Sequence, residues 1–204
     1  MRAPAASDAA PPVEPAVGEQ ELAAAARRGE RKAFETLVRV HRDFLYRFIR
    51  RYVGDADDAY DLLQETFISA WLALRRFDTR QPFGSWLRAI ALNKCRDHGR
   101  RGAARRRLLS LFAAEPTTAR STSPDGDNSE YSPQAARLRR LDRAVAQLPP
   151  FYKEPLLLTT TGGMTQLQAA QLLRTTPKAI EMRVRRARRL LAKALGEGPG
   201  PADS

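Results

Sequence analysis

Three groups of side chains are spaced for chemistry or recognition. Asp58, Asp61, Gln64 and Glu65 form the first. Asp61, Gln64 and Glu65 stand at i, i+3 and i+4, which puts them on one face of a helix. Carboxylates so placed can hold Mg²⁺, and with His41 they would suit a metal-dependent nuclease. They suit equally a protein interface, where charges set specificity and on-rate, and Asp58 also suits a helix N-terminus. No nucleophile and general base accompany them. The second group is Asn93, Arg96, Asp97, Arg100 and Arg101. Asn can make paired hydrogen bonds to a base edge, and Arg can hold a phosphate or stack on a base. Asp97 can instead pair with a neighbouring Arg. The third group is Lys178, Arg183, Arg185, Arg186, Arg188, Arg189 and Lys193, seven basic residues against one acid, Glu181.

Composition favours the same class of partner. The chain has 204 residues and a formal net charge of +12. That balance points to polyanions, nucleic acid before an anionic membrane surface. Cys95 is the one cysteine, which excludes an internal disulfide and a multi-cysteine zinc site; His41 and His98 are the only imidazoles. No apolar run is long enough for a membrane-spanning helix. Met1 to Gly18 contains Pro4, Pro11, Pro12 and Pro15 without an apolar h-region, so no secretory signal is read there and the cytoplasm is the expected compartment.

The elements that must position these groups are helices. Phe34, Leu37, Val38, His41, Leu45, Phe48, Ile49 and Tyr52 repeat with the helical period, and Gly54 ends that run. Asp55, Asp57 and Asp58 open a second helix with the stripe Leu62, Leu63, Phe67, Ala70, Trp71 and Leu74. After a loop from Arg76 to Pro82, Phe83, Trp86, Leu87, Ile90, Ala91 and Cys95 mark a third, ending in the basic run Arg100 to Arg107. A short helix over Gln20 to Arg28 precedes them. Trp71 and Trp86 lie on apolar stripes, so core packing is expected of them before base stacking. Further helical patterns cover 135–147, 151–160, 165–173 and 177–195, with Gly162 and Gly163 as a break. Pro116 to Pro133 has too few apolar side chains to offset ordering entropy. The expected fold is all-α: two small helical domains, 19–102 and 135–196, joined by a flexible linker over 103–134, with disordered tails at 1–18 and 197–204.

Residues Thr165 to Ile180 have the layout of a helix-turn-helix. Thr165 can cap the first helix, Ala170 is small where the helices cross, and Leu172 and Ile180 supply the shared core. Thr176 can cap the second helix and Pro177 suits its first turn. Arg174 stands where a Gly is usual, so either it adopts the left-handed conformation at a cost or the turn takes another shape. The basic second helix fits a major-groove reader, with bases contacted near its N-terminus and phosphates further along.

Two longer runs carry a family resemblance. Asp58-Ala-Tyr-Asp-Leu-Leu-Gln-Glu-Thr-Phe-Ile-Ser-Ala-Trp71 and Phe83-Gly-Ser-Trp-Leu-Arg-Ala-Ile-Ala-Leu-Asn-Lys-Cys-Arg-Asp-His-Gly-Arg-Arg101 resemble adjoining motifs of extracytoplasmic-function (ECF) sigma factors of the sigma-70 family. Leu148-Pro-Pro and the helix-turn-helix follow in the family's order. The resemblance implies a sigma factor that binds core RNA polymerase and directs initiation. It assigns Asp58, Asp61, Gln64 and Glu65 to docking on the β′ clamp helices. It assigns Asn93, Arg96, Asp97, Arg100 and Arg101 to the melted −10 strand, with Arg76, Phe77 and Asp78 in the loop that receives a flipped base. It assigns Lys178, Glu181, Met182, Arg183, Arg185 and Arg186 to the −35 duplex. Glu181 either accepts a hydrogen bond from cytosine or repels phosphate. The second domain would also touch the β flap, and an anti-sigma factor is a further candidate partner. The action implied is binding without bond chemistry, with no cofactor, metal, small-molecule substrate or membrane insertion. A stand-alone helix-turn-helix regulator is the alternative from a different class; it would dimerise and bind duplex tightly without polymerase.

Overall fold

The computed structural model describes residues 17–112 and 133–196; the expected tails before 17 and after 196, and linker residues 113–132, lie outside the described residues. Four helices make the first half: α1 (Val17–Arg27), α2 (Arg31–Val53), α3 (Ala56–Ala73) and α4 (Phe83–Phe112). Four more make the second: α5 (Pro133–Gln147), α6 (Pro150–Thr160), α7 (Gln166–Leu172) and α8 (Pro177–Leu195). No strand occurs among the described residues. The all-α fold class expected from the periodicity is therefore the observed one.

Helix α2 is the spine of the first half. It buries Ala33, Phe34, Leu37, His41, Leu45, Phe48, Ile49 and Tyr52, the stripe that the 3.6-residue period demands. Gly54 ends it at φ 87°, its N–H donating to the Arg50 carbonyl, a left-handed cap that glycine adopts at least cost. Asp55 then caps α3, its side chain accepting from the Asp58 N–H. Helix α3 covers α2 with Ala59, Leu62, Leu63 and Ala70. Helix α4 closes the bundle with Phe83, Leu87, Ala91, Leu92 and Cys95, all almost fully buried. Trp86 packs on Phe77 and Phe83, with ring centroids 4.7 and 5.5 Å away. Trp71 lies against Phe34 at 4.9 Å but keeps 40% of its surface exposed, so the core expectation holds for only part of its ring.

One anchor was not legible in the sequence. The Glu19 carboxylate, from α1, accepts the Gly84 N–H at 3.0 Å and lies 3.5 Å from His41 Nε2. Gly84 is in the first turn of α4, where the free amides of a helix favour an anion. The imidazole beside it holds Glu19 below the usual carboxylate range. Glu19 thus pins α1 across the start of α4, with His41 beside it.

The second half is built around α6 and α8. Gly162 terminates α6 so tightly that a Cβ there would lie 2.2 Å from the Leu158 carbonyl oxygen. Thr165 and Gln168 form a capping box at the start of α7, and Thr176 caps α8 by accepting from the Ala179 N–H. Arg174 takes the left-handed conformation, φ 51°; the helix-turn-helix turn keeps its shape and the arginine bears the strain. Ala169, Ala170 and Ile180 are buried where α7 meets α8. Leu172 is only partly buried.

Two expectations need correction. Helix α4 runs on to Phe112, ten residues into the stretch assigned to the linker. Ala103, Ala104, Arg105, Arg106, Arg107, Leu108 and Leu109 are all good helix formers, and they continue the helix past Gly102 although these leucines are exposed. The second correction concerns the tether. The two halves do not stand apart: α5 and α6 pack directly on α2.

Two measurements check this packing. Cys95 is fully buried and its thiol is pushed up to about 12 by burial, so a thiol reagent is expected to label it only after unfolding. Labelling at the rate of a free thiol in the native protein would contradict the packing. Gly162→Ala is expected to destabilise the second half by about 2 kcal/mol, the scale of an overpacked core, measured by denaturant unfolding.

Candidate functional site

The charged groups singled out by spacing occupy three surfaces. On α3, Asp61 and Gln64 are exposed and Glu65 is half-exposed. Glu65 pairs with Lys94 at 3.2 Å, and Asp58 lies 3.3 Å from His98 Nε2. Asp58 thus faces α4, and its backbone amide is what Asp55 caps. His41 of α2 lies beside Glu19 of α1, and Asp58 and Glu65 of α3 pair with His98 and Lys94 of α4. The set does not converge on one point, and no group of three or more His, Cys, Asp or Glu among the described residues could hold a metal ion. Ile68 and Leu72 extend the α3 face, 59% and 76% exposed. The outward stripe of α3 is therefore acidic at one end and apolar at the other, which suits protein docking.

The second surface is the outer side of α4 with the loop before it. Asn93, Arg100 and Arg101 are exposed. Asp97 is engaged by Arg100, the intramolecular pairing foreseen for it. In the loop, Arg80 donates to both carboxylate oxygens of Asp78, at 2.9 to 3.2 Å, and its backbone N–H also reaches Asp78. That pairing holds the Asp78 carboxyl below its ordinary range. Arg76 is exposed. Phe77 is not available to DNA here: it is 3% exposed, packed edge-on against Phe83. Its aromatic ring gave no sign of this, because the loop around it is polar. It is a core anchor that fixes the loop, and its assignment as a base contact is withdrawn. Arg96 is also occupied. Its Nε and Nη2 donate to the two oxygens of Glu154 at 2.8 and 2.5 Å, across to α6.

The third surface is α8 (Pro177–Leu195), 19 residues and about 28 Å long at 1.5 Å per residue. Its buried face is Ile180, Ala187 and Leu191. Lys178, Met182, Arg185, Arg186, Arg188 and Arg189 are exposed. Lys178 pairs with Glu181 at 2.9 Å, an i, i+3 contact that neutralises the one acid of the helix. Arg183 is half-buried, its guanidinium 4.0 Å above the Phe151 ring. That stacking orients Arg183 from the adjoining helix α6. The result is a cationic rod whose first turn is capped and whose donors face solvent, the geometry of a helix that enters a major groove.

No helix among the described residues is long and apolar enough to cross a membrane.

Comparison with known proteins agrees with these surfaces in position. The family described as Sigma-70 region 2 matches residues 37–106, which contain the α3 and α4 surfaces. The family described as Sigma-70, region 4 matches residues 138–191, which contain the helix-turn-helix. The chain is 37% identical over 179 residues to the RNA polymerase sigma factor CnrH of Cupriavidus metallidurans, covering 85% of this chain and 92% of CnrH. It is 32% identical over 176 residues to the ECF RNA polymerase sigma factor SigC of Mycobacterium tuberculosis, covering 85% and 89%. Among solved structures, CnrH in complex with the cytosolic domain of CnrY superposes with a TM-score of 0.65 at 31% identity, covering 89% of this chain and 99% of that one. The sigma factor RpoE of Bartonella quintana, in complex with the anti-sigma factor NepR, shares the fold, with a TM-score of 0.63 at 23% identity and coverage of 82% and 99%. Two family regions in the right order, and relatives matched along nearly their whole length, place this chain in the ECF subfamily of the sigma-70 family of RNA polymerase sigma factors.

Proposed function

We propose that the chain binds core RNA polymerase through α3 and reads promoters with two separate surfaces, α4 for the −10 strand and α8 for the −35 duplex. The observation that carries the reading is α8: a capped, solvent-facing cationic helix held by a helix-turn-helix. Asp61, Gln64 and Glu65, with the apolar Ile68 and Leu72 beside them, are the docking face for the β′ clamp helices. Asn93, Arg100 and Arg101 face solvent on α4 and serve the melted −10 strand; Arg96 joins them when it is released from Glu154. Arg76 and Asp78 border the loop that receives a flipped base, with Phe77 as its buried floor. Lys178, Glu181, Met182, Arg183, Arg185 and Arg186 serve the −35 duplex.

The protein acts without making or breaking bonds; catalysis belongs to the core enzyme. The β flap is the second contact on polymerase, and the cytoplasm is the working compartment. CnrH and RpoE were each solved with a bound partner, and an anti-sigma factor is a proposed partner here too. The proposed domains are 19–102 and 135–196, with α4 extending beyond the first to Phe112.

Purified core polymerase should give specific transcripts from a promoter library only when this protein is added. Absence of both transcripts and core binding would overturn the reading and favour a stand-alone regulator. Within that assay, Arg185→Ala is expected to cost about tenfold or more on promoters that depend on the −35 element, the scale of one base-reading pair. It should leave core binding unchanged. Arg188→Ala should weaken DNA binding evenly across sequences and lower the salt slope by about one, as loss of a phosphate contact does. A change in sequence preference for Arg188→Ala would instead make it a base reader.

A further inference from the structure

We propose that Phe151 of α6 is a positioning residue: its ring holds Arg183 of α8 ready for a DNA phosphate at the wall of the major groove. The inference rests on the sigma-factor reading above and deepens it, by giving Arg183 a phosphate to bind and a neighbour that places it.

The register of α8 sets Arg183 apart from the other cations. It stands three residues after Ile180 and four before Ala187, both fully buried. Residues so spaced share one side of a helix, so Arg183 lies at the edge of the buried face and is itself half-buried. Met182, Arg185, Arg186 and Arg189 are exposed on the outward side. A helix with its side chains is about 10 to 12 Å across, and the major groove is about 12 Å wide. The outward side of a helix in that groove meets base edges, and its flanks meet the walls, which carry the phosphates. Arg183 is on a flank.

Phe151 stands in the first turn of α6, which packs on α8. Leu156, Leu157 and Leu158 of the same helix are buried, but Phe151 keeps 55% of its surface exposed. A ring so open to water adds little to the core. It meets Tyr152 edge-on at 5.2 Å, and the Arg183 guanidinium lies 4.0 Å above its face. A guanidinium is planar: its face stacks, and its five N–H groups point outward in the plane. The stack on Phe151 therefore uses the face and leaves the donors. Among the described residues no carbonyl or carboxylate accepts from them. An acid in place of Phe151 would also fix the arginine, but it would take the donors and cancel the charge. The neutral ring does neither. An arginine already held in this way loses less rotamer freedom when it binds, so its phosphate contact is stronger.

The test uses holoenzyme assembled from core polymerase and the full chain, on a promoter that the parent selects. Fluorescence anisotropy reads its affinity for duplex carrying the −35 element across a salt series. Arg183→Ala should weaken binding about tenfold, evenly across −35 sequence variants, and lower the salt slope by about one. Phe151→Ala should weaken it about threefold, the scale of an exposed cation–π contact. Phe151→Leu, which keeps apolar bulk but has no π face, should lose as much, and Phe151→Tyr should bind like the parent. The double variant Phe151→Ala, Arg183→Ala should be no weaker than Arg183→Ala alone, because the ring acts only through the arginine. Parent affinity in Phe151→Leu would make the ring a packing element and overturn the proposal. So would additive losses in the double variant, or a change of base preference or an unchanged salt slope in Arg183→Ala. A parent holoenzyme that selects no promoter would overturn the sigma-factor reading itself, so the two failures are separate results.

Discussion

Everything in this structure is organised by the need of one long helix to bury its apolar stripe. Helix α2 has 23 residues, of which eight are buried along one side. Helices α1, α3 and α4 assemble against it, and α5 and α6 reach its C-terminal end. The positions of the α3 and α4 surfaces follow. Helix α3 buries Ala59, Leu62, Leu63 and Ala70 on α2, and its acidic face is therefore turned outward. Helix α4 buries Leu87, Ala91, Leu92 and Cys95, which leaves Asn93, Arg100 and Arg101 on the solvent side. The polar residues are where they are because the apolar ones have a fixed place to go.

The end of α2 is also where the two halves meet, and there the physics changes. The buried apolar side chains of both halves form one core cluster. Where the halves meet, hydrogen bonds and ion pairs also join Arg51, Tyr52, Arg96, Lys153 and Glu154 across the seam. Burial raises the Tyr52 hydroxyl and lowers the Lys153 ammonium from their ordinary ranges. The Glu154 pair raises the Arg96 guanidinium. Lys153 donates to the Tyr52 and Ala146 carbonyls and lies over the Tyr52 ring. An interface of this kind specifies one arrangement without contributing much stability.

Electrostatics also separates the two surfaces proposed for nucleic acid. On α8 the basic residues have one acidic neighbour, Glu181, and it is matched by Lys178. The remaining positive charge is free to attract phosphate, which suits duplex binding. On α4 two of the arginines are engaged by acids, Arg100 by Asp97 of the same helix and Arg96 by Glu154 of α6. Such a surface attracts DNA less from a distance and relies on short-range fit.

The sequence by itself determined the helices, their caps and the outward faces, because these depend on neighbours within four residues. The period of Phe34 to Tyr52, the Gly54 stop, the caps at Thr165 and Thr176, and the burial of Cys95 were all legible in this way. So was the pairing of Asp97 with an arginine, three positions along the same helix. What only the tertiary structure decided lies across long separations. Phe77 looks like an exposed loop aromatic until Phe83 and Trp86 close over it. Glu19 is an ordinary surface acid until the start of α4, 65 residues away, is set against it. Arg96 reads as a free DNA contact until Glu154, 58 residues on, accepts from its Nε and Nη2. Local periodicity says which face of a helix is wet. Which distant charge will sit on that face depends on how whole helices pack, and the spacing of neighbouring residues does not encode that.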